Sequence, residues 1–196
     1  MKICLLILVS LSSFSAFTAC RYSIQPGTES LSWTGYKFND RTAVSGSFND
    51  LSIKTVSNAM KPQGLLSHAA LWIDTNSFES KNPARNSNIV KNLFRKVQKG
   101  RVIHARVTDL KLIKKMATVA INWGESEQMV DMAFSFDKAN SSIVLEGIID
   151  LVKLGFGDAF SSLKRSCKGK HKGKDGVVKS WSDVKIVVSA KIEKNC

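Results

Sequence analysis

Few side chains in this sequence have the types and spacing that chemistry needs. The candidates are four cysteines, Cys4, Cys20, Cys167 and Cys196, and three scattered histidines, His68, His104 and His171. No pair of cysteines has a Cys-x-x-Cys redox or zinc spacing. There is no Gly-x-Ser-x-Gly elbow, no His-Glu-x-x-His pair and no glycine loop able to cradle a phosphate. Gly155-Phe156-Gly157 reads as a turn. Cys167-Lys168-Gly169-Lys170-His171 could offer sulfur and nitrogen to a metal, but a disulfide accounts better for Cys167. His104, close to Arg106 in a strand, reads as an outward surface residue. The expectation is a protein that is not an enzyme, with no catalytic residue, no metal site and no cofactor beyond a bound lipid.

The cysteines carry more information about location. Met1-Lys2 gives a positive start, Ile3 to Val9 is an apolar run, and small residues follow up to Ala19. That order is the pattern of a secretory signal over residues 1–19, leaving one domain over 20–196. The apolar run is too short for a permanent membrane anchor. Thr18-Ala19-Cys20 resembles the tail of a bacterial lipobox, with Phe17 where leucine is usual. Cys20 is therefore expected to carry a diacylglyceryl group and hold the protein at a periplasmic membrane. The alternative is a soluble exported protein. With Cys4 removed and Cys20 lipidated, Cys167 and Cys196 are left to pair, a closure worth roughly 3–4 kcal/mol in the chain-entropy model.

The formal net charge is +13 and hydrophobic residues make up 43% of the chain, so a folded, strongly basic domain is expected. An exported protein of this charge meets anionic membranes or acidic proteins rather than nucleic acid. Lys164, Arg165, Lys168, Lys170, His171, Lys172 and Lys174 crowd one stretch, and Gly169, Gly173 and Gly176 are expected to keep it mobile. An anionic membrane surface is its expected partner.

The elements that must position any site are mostly strands. Apolar and polar residues alternate with period two around Leu31–Gly35, Ala69–Ile73, Val102–Ile113, Ala117–Trp123, Val130–Phe136, Ile143–Leu151 and Val184–Ile192. With Thr42 to Ile53 as the second, this makes eight strands. One segment has helical spacing instead. Asn82 can cap a helix starting at Pro83, Ile89, Val90, Leu93, Phe94 and Val97 form its apolar stripe, and Gly100 can stop it. A second short helix is expected over Asp158 to Leu163. The fold class expected is mainly β: an eight-stranded antiparallel up-and-down barrel, with one amphipathic helix between strands three and four. The inward set is Trp33, Phe48, Leu71, Ile73, Val119, Ile121, Phe134, Phe136, Leu145, Ile149, Ile186 and Val188. Leu93 and Phe94 would join it from the helix, as wall or lid. Alternation alone is the same for a packed and a hollow barrel, and a ten-residue strand of roughly 33 Å suits a long, thin ligand.

Several short motifs stand in order along the chain: Tyr22-Ser23-Ile24, Trp33-Thr34-Gly35, Gly46-Ser47-Phe48, Ile73-Asp74 with Ser77-Phe78, Ala84-Arg85-Asn86 through Leu93-Phe94, Ile121-Asn122-Trp123-Gly124 and Trp181 through Ile186. Their order and spacing resemble those of the YceI-like family of periplasmic lipid- and polyisoprenoid-binding proteins. The family usually has aspartate where Asn86 stands, and its central turn often reads Gly-Val-Thr-Lys where Gly124-Glu125-Ser126-Glu127 stands here. The resemblance implies a lipocalin-like barrel holding an isoprenoid, quinone or polyprenyl-type lipid. Two functions follow as expectations. The first is an exported carrier of a long apolar ligand. The second is a basic interaction module with a packed interior that docks on an anionic membrane or a protein partner.

Overall fold

Among the described residues, alternation becomes eleven β-strands in one antiparallel sheet. They are β1 (Arg21–Ile24), β2 (Ser30–Lys37), β3 (Thr42–Phe48), β4 (Leu51–Lys54), β5 (Ala70–Asp74), β6 (Phe78–Glu79), β7 (Val102–Lys111), β8 (Met116–Trp123), β9 (Ser126–Asp137), β10 (Ser142–Asp150) and β11 (Asp183–Asn195). Among the described residues two α-helices interrupt them, α1 (Pro83–Asn92) and α2 (Gly157–Cys167). The computed structural model describes residues 19–196, so all but the last residue of the expected signal segment lies outside the described residues.

The sheet runs β4-β5-β7-β8-β9-β10-β11-β2-β3-β6, with β1 on β11. Its two ends meet because β4 follows β3 and β6 follows β5. The Asp74 N–H donates to the Asp50 carbonyl (3.1 Å) and the Asn49 N–H to the Ser77 carbonyl (3.0 Å). The sheet thus curls back on itself into a barrel-like wall. Eleven strands replace the expected eight for a local reason. Asn49-Asp50 breaks the stretch 42–53 into β3 and β4. A helical turn at Thr75–Ser77, whose Asp74 side chain accepts from the Asn76 N–H, separates β5 from β6. β1 is an additional short strand. Gly46 is needed where β3 meets β6, since a Cβ there would lie 1.9 Å from the Glu79 carbonyl oxygen and 2.5 Å from the Trp33 ring.

Helix α1 starts as its sequence dictates. The Asn82 side chain accepts from the Arg85 N–H (2.9 Å), and Pro83 takes the first position, where no donor is missed. It ends at Asn92, short of the expected Gly100. The apolar stripe continues through a single tight turn at Phe94–Lys96. The Gly100 carbonyl instead accepts from Trp123 Nε1 (2.9 Å), which ties this connection to β8. In strand terms α1 falls between β6 and β7. Helix α2 is longer than the expected 158–163 and packs beside α1, where Asn88 Nδ2 donates to Cys167 Sγ (3.2 Å).

The cysteine pairing differs from expectation. Cys20 is bonded to Cys196, and Cys167 is free and buried. The sheet register explains this: Arg21 pairs with Asn195 in the β1–β11 ladder, so the next residues outward, 20 and 196, face each other. Cys167 sits instead at the end of α2. A disulfide at Cys20 also occupies the sulfur that a diacylglyceryl group would need, so the expected lipidation of Cys20 is not compatible with this pairing. The segment after α2 is not the free loop its glycines suggest. His171, Gly173, Gly176 and Lys179 all donate backbone hydrogen bonds within it, and the Phe38 N–H donates to the Lys179 carbonyl.

Two buried clusters divide the interior. One, near the helices, gathers Trp33, Phe48, Phe78, Phe94, Trp123 and Phe156 with their neighbours. The other, at the opposite end, holds Leu66, Val107, Val119, Met132, Phe134 and Ile143.

Candidate functional site: an apolar cavity with a basic mouth

Between these clusters lies a cavity of about 400 Å³. That is within the roughly 300–1,000 Å³ typical of small-molecule sites. Register makes its wall. Ile186 stands opposite Trp33 on one side and Gly147 on the other, Val188 opposite Leu31, and Leu71 opposite both Ile53 and Ala105. Directly opposed residues point to one face, so these side chains share the interior. Three alanines, Ala69, Ala105 and Ala190, line it where a larger side chain would take up space.

A chain of aromatic contacts sets the upper wall. Trp33 stacks on Phe78 at 4.6 Å, Phe78 meets Phe94 at 5.5 Å, and Phe94 meets Trp123 at 5.6 Å. Trp33 Nε1 donates to the Ser47 carbonyl (3.2 Å), which fixes the indole plane. Helix α1 contributes Arg85, Asn88 and Ile89 to the lining, and α2 contributes Phe160, Leu163 and Cys167.

The end beside the helices reaches solvent, because Lys170 is exposed, Arg85 is half-buried and both line the cavity. Lys37 from the end of β2, His171 and Ser180 join them. His171 Nδ1 lies 2.6 Å from Ser180 Oγ. Burial first, then the charges of Lys37, Arg85 and Lys170, hold the His171 imidazole below its ordinary titration range. No aspartate or glutamate lines the cavity. Arg41 closes the adjoining turn by pairing with Asp183 and stacking between the rings of Tyr36 and Trp181, each 4.3 Å away. Among the described residues no group of three or more His, Cys, Asp or Glu side chains could hold a metal ion.

A model of the YceI-like domain matches residues 22–191, nearly all of the described chain. The chain belongs to the YceI-like family. No curated protein matches it. Three solved structures share its fold at low identity. BcnA from Burkholderia cenocepacia is 13% identical with a TM-score of 0.57, over 87% of this chain and 99% of that one. A polyisoprenoid binding domain from Saccharophagus degradans is 13% identical with a TM-score of 0.59, over 91% and 98%. The Campylobacter jejuni YceI protein is 15% identical with a TM-score of 0.52, over 79% and 86%.

In this YceI-like barrel the residues expected to face inward are brought together on the cavity wall, with two exceptions. Phe134 and Phe136 do not line it. Phe134 is buried in the far cluster, and Phe136 packs against that cluster 6.2 Å from the Phe134 ring. Leu93 and Phe94 do line the cavity, from the end of α1 and the turn after it. Other wall residues were not singled out in the sequence. Val44, Ile103, Met132 and Ile143 carry the same alternation as the expected set, which could have found them. Lys37 carries no such signal, whereas His171 stands in the basic run and Arg85 in the motif Ala84-Arg85-Asn86; the three come from elements far apart in the chain.

The departures from the family's usual motifs have visible consequences. Asn86 Oδ1 accepts from the Ser80 N–H (2.9 Å) and Oγ–H (2.6 Å), while its Nδ2 donates to Glu79 Oε1 (3.0 Å). An amide serves here because a carboxylate already stands beside it. Glu125 and Glu127, in the altered central turn, pair with Lys99 (2.9 Å) and Arg106 (3.4 Å) on the surface. They lie off the cavity.

Proposed function

We propose that this YceI-like protein is an exported carrier or sequestering protein that holds the apolar chain of a lipid, isoprenoid in character, inside its barrel. The observation that carries this reading is the cavity itself: side chains leave about 400 Å³ between two packed clusters and line it mainly with hydrocarbon. Burying a chain there gains roughly 25 cal/mol per Å² of apolar surface, less the cost of ordering it. The likeness to a domain described as polyisoprenoid binding supports an isoprenoid chain. A disulfide between Cys20 and Cys196 supports work outside the reducing cytoplasm. The walls offer no arranged acid, base and nucleophile, so ligand leaves chemically unchanged.

Extraction of purified protein with organic solvent, followed by mass spectrometry, tests the reading. Wild type should release an isoprenoid lipid. Ile186→Asp should release none while keeping its strand circular dichroism, because no cation of the inner wall stands opposite residue 186. Lys185→Glu, one residue along on the outer face where Lys185 pairs with Glu146 (2.9 Å), should release as much as wild type. Wild-type protein that neither releases nor takes up lipid would overturn the carrier in favour of an interaction module.

A further inference from the structure

We infer that the YceI-like barrel docks on an anionic lipid bilayer by the end opposite its mouth. The Leu112-Ile113 tip of the β7–β8 turn enters the bilayer interface, and Lys114 and Lys115 bind the headgroups around it. This surface lies apart from the cavity, so the inference stands whether or not the barrel carries a lipid.

The turn holds apolar side chains out in solvent. Lys111 pairs with Met116, so residues 112–115 join β7 to β8. The Lys115 N–H donates to the Leu112 carbonyl (3.2 Å), and the Lys115 carbonyl accepts from the Phe134 N–H (2.9 Å) of β9. These bonds tie the turn to the packed end of the sheet. Ile113 is nonetheless 101% exposed and Leu112 55%, so the chain's own surface leaves them uncovered. Residues 111–115 include three lysines and no acid. Lys111 pairs with Asp131 (3.6 Å), but Lys114 and Lys115 enter none of the ion pairs of the described residues. Lys138, exposed in the β9–β10 turn at the same end, enters none either, and Asp137 beside it accepts from Asn140 Nδ2 (2.7 Å). Met60, 68% exposed, and the exposed Lys61 repeat the combination. Backbone hydrogen bonds between Ala59 and Tyr22 (2.8 and 2.9 Å) hold that segment beside β1, which pairs with the end of β11.

An aliphatic pair at the point of a hairpin fits a bilayer better than a protein. A stable protein interface takes roughly 800 Å² from each partner around a buried centre, and two side chains on a convex tip cannot supply that. A bilayer accepts a tip. The aliphatic side chains leave water among acyl chains, while the lysine stems let the ammonium groups reach the phosphates. Unpaired lysines are the charge complement of anionic headgroups. The basic run 164–174 at the mouth is the rival surface. Its turn carries Asp175 among the lysines. The apolar side chains there, Val177 and Val178, are only 45% and 37% exposed, and Val178 is bridged to Lys172. Docked by the far end, the protein turns its mouth and both helices away from the bilayer.

The test is flotation of the disulfide-bonded protein with vesicles of phosphatidylcholine, alone or mixed with phosphatidylglycerol, at low and high salt. Wild type should bind the mixed vesicles more tightly than the neutral ones, and the difference should shrink as salt rises. Leu112→Ser with Ile113→Ser should weaken binding about 10- to 100-fold, because two aliphatic side chains no longer leave water. Lys114→Gln with Lys115→Gln should weaken it by about fivefold per charge removed. All four positions are exposed, so both variants should keep the wild-type melting temperature. Lys168→Gln with Lys172→Gln, at the mouth, should bind as wild type does. Wild type that binds no anionic vesicle, or binds neutral vesicles equally well, would overturn the inference. Tip variants that bind normally while the mouth variant does not would move the contact to the basic run and overturn it too. A wild-type dimer in sedimentation velocity that Leu112→Ser with Ile113→Ser dissolves would make the tip an interface between copies, against the inference.

Discussion

The two ends of the barrel are built from the same alternating strands and do opposite things. At the far end Ala117, Phe134 and Phe136 pack away from the cavity, and the Cys20–Cys196 bond clamps β1 to the end of β11. At the near end α1 and α2 add side chains to the lining of a cavity, and basic side chains stand at its opening. A packed floor gains stability from every buried methylene; an open mouth forgoes that gain and leaves room for a ligand. Substitutions should therefore separate cleanly. Those at the floor should change stability and spare loading. Those at the cavity wall should change loading and spare stability.

Phe134→Ala should give the largest effect on folding. Removing a buried ring at the floor costs about 3–5 kcal/mol, readable by urea or thermal unfolding. Phe134 does not line the cavity, so the variant should still take up lipid. A folded Phe134→Ala protein that has lost uptake would erase the distinction between floor and cavity. Cys196→Ser should come next. It opens a cross-link spanning 176 positions and should lower stability by roughly 2–4 kcal/mol, with uptake intact. Cys167→Ser, beside the mouth, should change stability far less. Peptide mapping without reduction should recover Cys20 linked to Cys196, and a Cys167–Cys196 peptide would refute the clamp.

What the sequence made legible, and what it hid, follows the same division. Period two marks which side chains face inward, and it placed Trp33, Ile73, Ile121, Ile186 and Val188 on the wall that the structure shows. It says nothing about depth along the barrel axis. Phe134 and Phe136 alternate as Leu145 and Ile149 do, yet the two phenylalanines belong to the floor region. The cap at Asn82-Pro83 was readable because capping is local. The disulfide was not, because which cysteines meet is decided by the register of β1 on β11. The basic mouth was half visible. Lys170 and His171 stand in a conspicuous run and Arg85 in the motif Ala84-Arg85-Asn86, but Lys37 is an ordinary surface residue until the chain folds it beside them.

The smallest predicted effect lies just outside the mouth, at Asn86. In this chain Asn86 Nδ2 donates to Glu79 Oε1, and that hydrogen bond is the leading reason the Glu79 carboxyl titrates below its ordinary range; the Lys81 N–H, which also donates to it, comes second. A carboxyl whose folded value is lowered adds stability at pH above its unfolded value and loses that contribution as pH falls through the folded one. Asn86→Asp restores the residue usual in the family, removes the donor and sets a second carboxylate beside the first. The variant should melt a little below wild type at neutral pH, by a few degrees or less, because Glu79 is only half-buried and solvent screens the pair. As pH falls through the carboxylate range, both groups take up protons and the repulsion disappears, so the two melting temperatures should converge. Neither residue lines the cavity, and lipid uptake should persist. A melting difference of the same size at acidic and neutral pH would show that Asn86 acts through its hydrogen bonds to Ser80 rather than through Glu79.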